Sequence, residues 1–261
     1  MNDAFPDSDP GVVARRAASF GKSAAAYARQ RPDYPDAAVR WALEPVAGRA
    51  PLRVLDLAAG TGKLTEVLLR IGLDPSDIIA VEPDTAMLGE LRRRFPSVRA
   101  LEGRAEAIPL DDGAVDAVLA GQAMHWFDLD RALPEIHRVL APGGVLAGLW
   151  NRDDDRVPWV AEMGRLSRNT ASFGEWRPRE LPKTAHFPAF ERADFAHAHR
   201  RTADSMVATI GTQSHMLILD EPERETVVNR LLGYLRATPE TAEGEFDLPL
   251  ITLAARALRC T

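Results

Sequence analysis

Short apolar runs recur along the first 150 residues and predict the strands of one sheet. Four strong runs lie at residues 53–57, 78–82, 114–120 and 144–150, and a weaker run lies at 97–101. Odd and even positions within the strong runs are both mainly apolar, so each strand is expected to be covered on both faces. Burial of this kind is typical of a parallel sheet that has helices on its two sides.

Helical periodicity fills the gaps between these runs. Apolar positions at helical spacing follow Asp84, and they follow Asp128 or Asp130 again later, where an acid suits the N-terminal cap. The sequence Pro142-Gly143-Gly144 then ends the second of these helices. Strands that alternate with helices indicate right-handed βαβ units in an open sheet.

The regions that flank the sheet carry other patterns. Before the sheet, residues 12–31 and 35–46 have helical spacing. After it, the pattern predicts a charged loop at 151–158, a helix at 160–168, a strand at 194–201, a helix at 220–237 and a last strand at 250–258. No linker separates these parts, so we expect one domain with a helical elaboration near its C-terminal end.

Composition narrows the classes of function. The net charge is −6 and no basic stripe is visible, so no nucleic-acid partner is expected. Cys260 is the single cysteine, which excludes a disulfide framework and a cysteine-based zinc site. His197 and His199 lack a clear carboxylate partner, so no metal is expected there either. Without a long apolar run or a signal peptide, we expect a cytoplasmic protein with no membrane partner.

The segment from Val54 to Lys63 holds the most informative chemistry, because a buried strand leads through a loop of small residues into a helix. Gly60 and Gly62 let a ligand approach the backbone closely. Glu82 ends the next strand, where a carboxylate can accept hydrogen bonds from both hydroxyls of a ribose. Ligands of open sheets bind at the carboxyl ends of the strands, so we expect a nucleoside site here.

Three nucleoside ligands have different requirements. A phosphate-binding loop for ATP or GTP needs glycine and a hydroxyl where the chain has Leu57 and Leu64. A nicotinamide dinucleotide needs a small residue in place of Thr65, and Asp56 would repel its pyrophosphate. S-adenosylmethionine has no phosphate and carries a positive sulfur, so it suits the acids Asp56, Glu82 and Glu106 better than the other two ligands do. A nicotinamide-dependent reductase remains a less favoured alternative.

The order of these motifs resembles that of the class I S-adenosylmethionine-dependent methyltransferases. Residues 54–62 are similar to their first motif, Asp-x-Gly-x-Gly-x-Gly, with Ala58 in place of the first glycine, so a negative φ is expected at Ala58. Within the class, the type 11 family is most similar, with features of the trans-aconitate methyltransferase-like proteins. The resemblance spans residues 20–150 and continues at 82–88, 103–109, 116–118, 122–128 and 138–144.

The resemblance implies an α/β fold with a doubly wound, seven-stranded Rossmann-like sheet. Its last strand, assigned to residues 250–258, is expected to run antiparallel. The resemblance also implies a single methyltransferase domain over residues 1–261, with a helical substrate cover at about 203–241. Its expected parts are N-terminal helices at 12–47, a cofactor-binding core at 52–151, and C-terminal strands and cover at 152–261.

The same resemblance implies S-adenosyl-L-methionine as cofactor and S-adenosyl-L-homocysteine as product. Arg31 and Tyr27 would clamp the cofactor carboxylate, since arginine can pair with a carboxylate through two hydrogen bonds. Arg104 stands where many relatives place an acid toward the adenine, so that contact would pass to Glu106 or Ala105. The residues expected at the cofactor are Tyr27, Arg31, Asp56, Ala58, Gly60, Gly62, Glu82, Pro83, Met87, Ala105, Glu106 and Gln122.

The implied reaction is S_N2 transfer of the methyl group to an O, N or C atom of a small-molecule acceptor. The charged sulfur is already an activated leaving group, so the protein mainly aligns the reactants and excludes water. His125 is a candidate general base, or else a packed histidine. Trp126 and Tyr34 are candidate substrate contacts. A monomer or homodimer is expected, and a catalytically silent cofactor-binding or scaffold protein is the alternative function.

Overall fold

A computed structural model describes residues 32–167, 181–211, 216 and 219–260. These residues form a seven-stranded sheet with the strand order β3-β2-β1-β4-β5-β7-β6, so the predicted doubly wound sheet is confirmed. β7 runs antiparallel to both of its neighbours, also as predicted. The strands are β1 Val54–Leu57, β2 Ile78–Glu82, β3 Arg99–Glu102, β4 Val115–Gly121, β5 Leu140–Asp153, β6 Glu191–Arg201 and β7 Phe246–Leu258.

The strand order reverses between β1 and β4, and this switch point fixes where a ligand can bind. Val54 of β1 is in parallel register with Ile78 of β2 on one side and with Ala117 of β4 on the other. The connections to β2 and to β4 leave in opposite directions, so a crevice opens at the carboxyl ends of β1 and β4.

Helices cover both faces of the sheet. Asp84 caps one of them, because its Oδ1 accepts hydrogen bonds from the amides of Ala86 and Met87, both at 2.9 Å. Asp220 caps another by accepting from the amide of Glu223. The α helices are α1 Asp36–Leu43, α2 Lys63–Arg70, α3 Thr85–Arg94, α4 Leu129–Val139, α5 Pro158–Ser167, α6 Ala203–Gly211 and α7 Glu221–Ala237. The helix predicted at 12–31 lies outside the described residues.

Among the described residues, three apolar clusters form the core. One lies between the sheet and α1 and α2, and a second lies on the opposite face against α4. The third joins α5, α6 and α7 to the start of β7, around Phe246 and Leu231. The predicted C-terminal helices are therefore present, although their role as a substrate cover stays a prediction. In the part of the chain that the structure describes, no helix is long and apolar enough to span a membrane.

β5 is longer than the sequence predicts, because it continues into the charged stretch that was expected to be a loop. Its pairing with β4 ends at Leu149, whereas its pairing with β7 continues to Asp153. Beyond Leu149 the strand pairs with β7 alone among the described strands, and residues 151–153 are only partly buried. Polar side chains are therefore tolerated there, and the hydropathy pattern no longer marks the strand.

Candidate functional site

The loop between β1 and α2 turns through three left-handed residues. Gly60 and Gly62 have φ values of 58° and 85°, which glycine adopts without strain. Ala58 has a φ of 55°, so the prediction of a negative φ at this position was wrong. The cause is the route of the loop, since the next amide, that of Ala59, donates to the carbonyl of Val81 at 3.0 Å and the chain must bend sharply to reach it.

Replacing Ala58 with glycine is expected to stabilise the protein by about 0.5–1 kcal/mol. A left-handed alanine costs roughly 1–2 kcal/mol, and part of the gain is lost to the greater freedom of glycine in the unfolded chain. Urea unfolding measures the difference. Ala59→Gly is the matched control, because Ala59 is buried with a negative φ and its replacement should destabilise the protein. The same sign for both variants would contradict this account of the loop.

Glu82 at the end of β2 holds this loop in place. Its Oε2 accepts a hydrogen bond from the amide of Gly60 at 2.8 Å, and its Oε1 accepts one from the amide of Asp84 at 2.9 Å. The side chain is buried, and burial raises its pKa, while the two amide hydrogen bonds oppose that rise. Each carboxylate oxygen retains capacity for a second hydrogen bond, so the group can bind a ligand hydroxyl while it still orders the loop.

Asp56 lies buried beneath the loop. Its Oδ2 accepts a hydrogen bond from the hydroxyl of Thr65 at 2.6 Å, whereas its Oδ1 is buried and has no hydrogen-bond partner among the described residues. Burial raises the pKa of Asp56 to about 7; the Thr65 hydrogen bonds oppose the rise and the charge of Glu82 adds to it. The buried hydroxyl of Thr61 likewise lacks a partner in the described chain. Two polar atoms in the loop region thus retain unused hydrogen-bonding capacity.

Thr65 is a site residue that the sequence argument missed. In the sequence analysis Thr65 serves only as a mismatch to the nicotinamide-binding motif. In the structure it is fully buried and supplies the single side-chain hydrogen bond that Asp56 receives within the described chain. The two residues are nine positions apart across a strand, a loop and the start of α2. A hydroxyl in the first turn of the helix after an acidic strand end was the available signal.

Several residues on the side of the site expected to hold adenine already contact other parts of the protein. Met87 is buried with its sulfur near Gly60, where an added Cβ would lie 3.8 Å from Sδ, and Pro83 is exposed at the start of the turn. Glu106 accepts from the amide of Asp128 at 2.9 Å, so this acid orders the chain before α4. Arg104 lies 3.6 Å from Glu106 and is mostly exposed, and Ala105 between them is buried.

The end of β4 forms the opposite wall of the crevice. Gln122 follows the strand with a φ of 54°, and its side-chain amide donates to the carbonyl of Asn151 at 2.8 Å. Tyr34 is buried directly over Gly121, where an added Cβ would lie only 2.5 Å from the tyrosine hydroxyl. Asn151 also donates to the carbonyl of Asp33 at 2.8 Å. The chain before α1 is thereby fastened to the ends of β4 and β5.

His125 and Trp126 lie on a short 3-10 turn, Met124–Trp126, directly after β4. Their ring centroids are 4.8 Å apart. Burial lowers the pKa of His125 to about 4, so the ring is neutral at physiological pH. A neutral histidine can accept a proton, but this low pKa makes it a weak base. Tyr27 and Arg31, the expected carboxylate clamp, lie outside the described residues.

Comparison with known proteins places the chain among related sequences. A family model described as a methyltransferase domain matches residues 55–148. An uncharacterized methyltransferase of Mycobacterium tuberculosis is 40% identical over 240 residues, which cover 92% of this chain and 95% of the relative. A methyltransferase-like protein of Schizosaccharomyces pombe is 36% identical over 213 residues, which cover 80% of this chain and 82% of the relative. The similarity therefore extends well beyond the glycine loop.

Solved structures share the fold. A structure from Anaeromyxobacter dehalogenans, described as a type II methyltransferase, matches with a TM-score of 0.59 at 28% identity, covering 88% of this chain and 96% of that one. A Bacillus subtilis protein matches with a TM-score of 0.52 at 18% identity, covering 87% of this chain and 100% of its own, and shows likeness of fold alone. The narrower resemblance to trans-aconitate methyltransferase-like proteins stays a prediction.

Proposed function

This chain belongs to the class I S-adenosylmethionine-dependent methyltransferases, and on that premise we propose that it methylates a small-molecule acceptor. The observation that carries the proposal is the pair of buried acids at the glycine loop. Asp56 retains an oxygen without a partner in the described chain, and each oxygen of Glu82 can accept one more hydrogen bond. Two buried acids at this loop attract a positively charged nucleoside and repel the pyrophosphate of a dinucleotide.

The residues that would hold S-adenosylmethionine follow the crevice from β2 to β4. Glu82 would accept hydrogen bonds from the ribose hydroxyls, and the glycines of the loop would admit the methionyl part. Met87 and Ala105 would pack against the adenine or ribose. When bound, S-adenosylmethionine supplies a methyl group on a positively charged sulfur.

The chain's own contribution to methyl transfer would be alignment and the exclusion of water. Gln122 and Tyr34 wall the end of β4 through contacts with Asn151 and Gly121, which fixes their positions before any ligand binds. Alignment of this kind can supply several kcal/mol without a charged catalytic group. His125, neutral and with a low pKa, would serve an acceptor that loses its proton readily, and a carboxylate acceptor would need no base at all.

Transfer of labelled methyl groups from S-adenosylmethionine to a panel of small acids, phenols and amines tests the proposal. Calorimetry with S-adenosylhomocysteine and with NADH runs in parallel. We expect the first ligand to bind, NADH not to bind, and at least one acceptor to gain label. Binding of S-adenosylhomocysteine without transfer to any acceptor would favour a silent cofactor-binding protein, and binding of NADH alone would favour a reductase.

Cofactor affinity is expected to rise with pH up to about 7 and then level off. The pKa of Asp56 is raised to about 7 in the free protein, so this carboxyl is mostly protonated below that pH. A cationic ligand favours the charged carboxylate, so binding releases a proton in this range. Calorimetry in two buffers with different heats of ionisation measures the number of protons released on binding.

Asp56→Asn is the control for this pH dependence, since it keeps the shape of the carboxyl and removes its titration. The variant should bind more weakly above pH 7 and show affinity that no longer rises between about pH 5 and 7. The same carboxyl costs stability in the free protein, because a raised folded pKa means that stability falls as pH rises from the unfolded value through about 7. An unchanged pH profile in the variant would remove Asp56 from the cofactor site.

A further inference from the structure

A group of basic side chains lies beside the glycine loop and has no part in the function proposed so far. β6 runs parallel to β5, because both are antiparallel to β7, so the end of β6 lies at the same edge of the sheet as the cofactor crevice. There His197, His199 and Arg201 alternate with exposed residues and lie on the partly buried face of the strand. We call these three residues and Lys63, the first residue of α2, the Lys63 cluster.

Lys63 is a partly buried cation, and the two acids that act on its charge are already paired with other cations. Within the described residues its ammonium forms no ion pair and no hydrogen bond. Burial lowers the pKa of Lys63, and the charges of Arg94 and Arg201 lower it further, against the opposing effect of two acids. Those two acids already serve other cations, since Glu66 pairs with Arg94 at 2.7 Å and Asp33 pairs with Arg70 at 2.6 Å.

His199 of the cluster is held as a neutral hydrogen-bond donor. An Arg201 nitrogen lies 3.2 Å from Nδ1 of His199, and arginine can only donate, so the ring proton of neutral His199 is on Nε2. Burial, together with Arg201 and Lys63, lowers the pKa of His199 to about 4, which keeps the ring neutral.

A hydrogen-bond chain links the cluster to the end of β4. The Thr252 hydroxyl donates its one proton to Oδ1 of Asn151 at 2.5 Å, so Nε2 of His197 must donate to Thr252 at 3.0 Å. The carbonyl of the same Asn151 accepts from Gln122. The cluster is thus adjacent to the wall where the methyl acceptor is expected.

We propose that the Lys63 cluster binds a carboxylate or phosphate group of the methyl acceptor, which makes the acceptor a small anion. This inference rests on the proposed function. Lys63 and Arg201 supply positive charge in a partly dehydrated position, where charge-assisted hydrogen bonds are strongest. His199 supplies a further N–H donor. Lys63 also adjoins the loop expected to hold the methionyl part, so the carboxylate of the cofactor is the other possible source of the same chemistry.

Histidine ring NMR of the full chain tests the cluster without an identified acceptor. The ring signals are assigned with His197→Gln and His199→Gln, and inorganic phosphate and tricarballylate are then titrated with and without saturating S-adenosylhomocysteine. We expect a saturable shift of the His199 signal that is the same in both conditions. Its apparent Kd should be at least about tenfold weaker in Lys63→Met and Arg201→Met.

Lys183→Met and Arg192→Met are the matched controls, since both residues are exposed and Arg192 lies on the opposite face of the same strand. They should bind the probes as the unmodified chain does. Lys63→Met decides the outcome if the buried Arg201 proves necessary for folding. No saturable shift below about 10 mM, or an unchanged Kd in Lys63→Met, would overturn the proposal.

The cofactor arm separates the two sources of the carboxylate. Competition between S-adenosylhomocysteine and the probes, together with a loss of S-adenosylhomocysteine affinity in Lys63→Met, would assign the cluster to the cofactor and refute an acceptor site. Failure of the proposed function has a different signature. In that case S-adenosylhomocysteine would bind to no form of the protein, while the probe titration of the ligand-free chain would still report on the cluster.

Discussion

Glu82→Ala is expected to abolish the stabilisation that S-adenosylmethionine gives to the protein. A ligand at a hundred times its Kd adds about 2.7 kcal/mol to the free energy of unfolding, and the variant should lose nearly all of it at the same concentration. Two effects combine in this loss. The ribose hydroxyls would lose their acceptor, and the amides of Gly60 and Asp84 would lose the carboxylate that positions the loop. Thermal unfolding with and without the ligand measures the effect.

Glu102→Ala is the matched control, because Glu102 is the register partner of Glu82 on β3 and is exposed. It should leave the ligand-induced stabilisation intact. Glu82→Gln keeps one acceptor oxygen, so its ligand-induced stabilisation should lie between those of Glu82→Ala and Glu102→Ala. A full stabilisation by S-adenosylmethionine in Glu82→Ala would remove this residue from the site.

Gly62→Ala is expected to lower the free energy of unfolding by about 2–5 kcal/mol and to weaken cofactor binding strongly. The left-handed backbone costs an alanine roughly 1–2 kcal/mol, and crowding in a packed region adds about 1–3 kcal/mol. The added Cβ would lie 2.7 Å from the Phe95 ring, so the loop or the ring must shift. Gly62 also caps α2 through its carbonyl, which accepts from the amide of Glu66 at 2.9 Å. Urea unfolding and calorimetry with S-adenosylhomocysteine measure the two effects.

Gly89→Ala provides the comparison. Gly89 lies within α3 with a normal φ and open space around it, so alanine should stabilise that helix by about 0.5–1 kcal/mol. The two substitutions are chemically identical, yet they should change the free energy of unfolding in opposite directions. Equal stabilities for the two variants would show that the loop conformation tolerates a side chain at Gly62.

The fold was predictable because its determinants are local. The buried strands are near-continuous apolar runs, and one of the intervening helices, α3, begins at the acid Asp84, which caps its amides. Alternation of the two element types leaves few possible topologies. Glu82 was predictable for a related reason, since the last residue of a strand next to the switch point must lie at the ligand edge.

The details of the loop were not predictable from residue types alone. Alanine normally has a negative φ, yet the need for the amide of Ala59 to reach Val81 forces Ala58 into the left-handed region. That constraint comes from the neighbouring strand and not from the local sequence. The same holds for the Asp56–Thr65 hydrogen bond, which depends on how close the first turn of α2 lies to the end of β1.

Contacts between distant segments were the hardest to infer. Tyr34 was a candidate substrate residue, and the structure places it against Gly121, eighty-seven positions further along the chain. Lys63 and Arg201 lie close enough for their charges to interact because β6 returns to the ligand edge beyond the antiparallel β7. No pattern of spacing in one sequence carries information about such pairs.

A crystal structure of the protein with S-adenosylhomocysteine tests the central claim most directly. We expect the ribose hydroxyl oxygens at about 2.5–3.0 Å from the carboxylate of Glu82, with the amino acid part of the ligand over the Gly60–Gly62 turn. A nucleoside bound elsewhere, with its sugar away from the end of β2, would contradict the account.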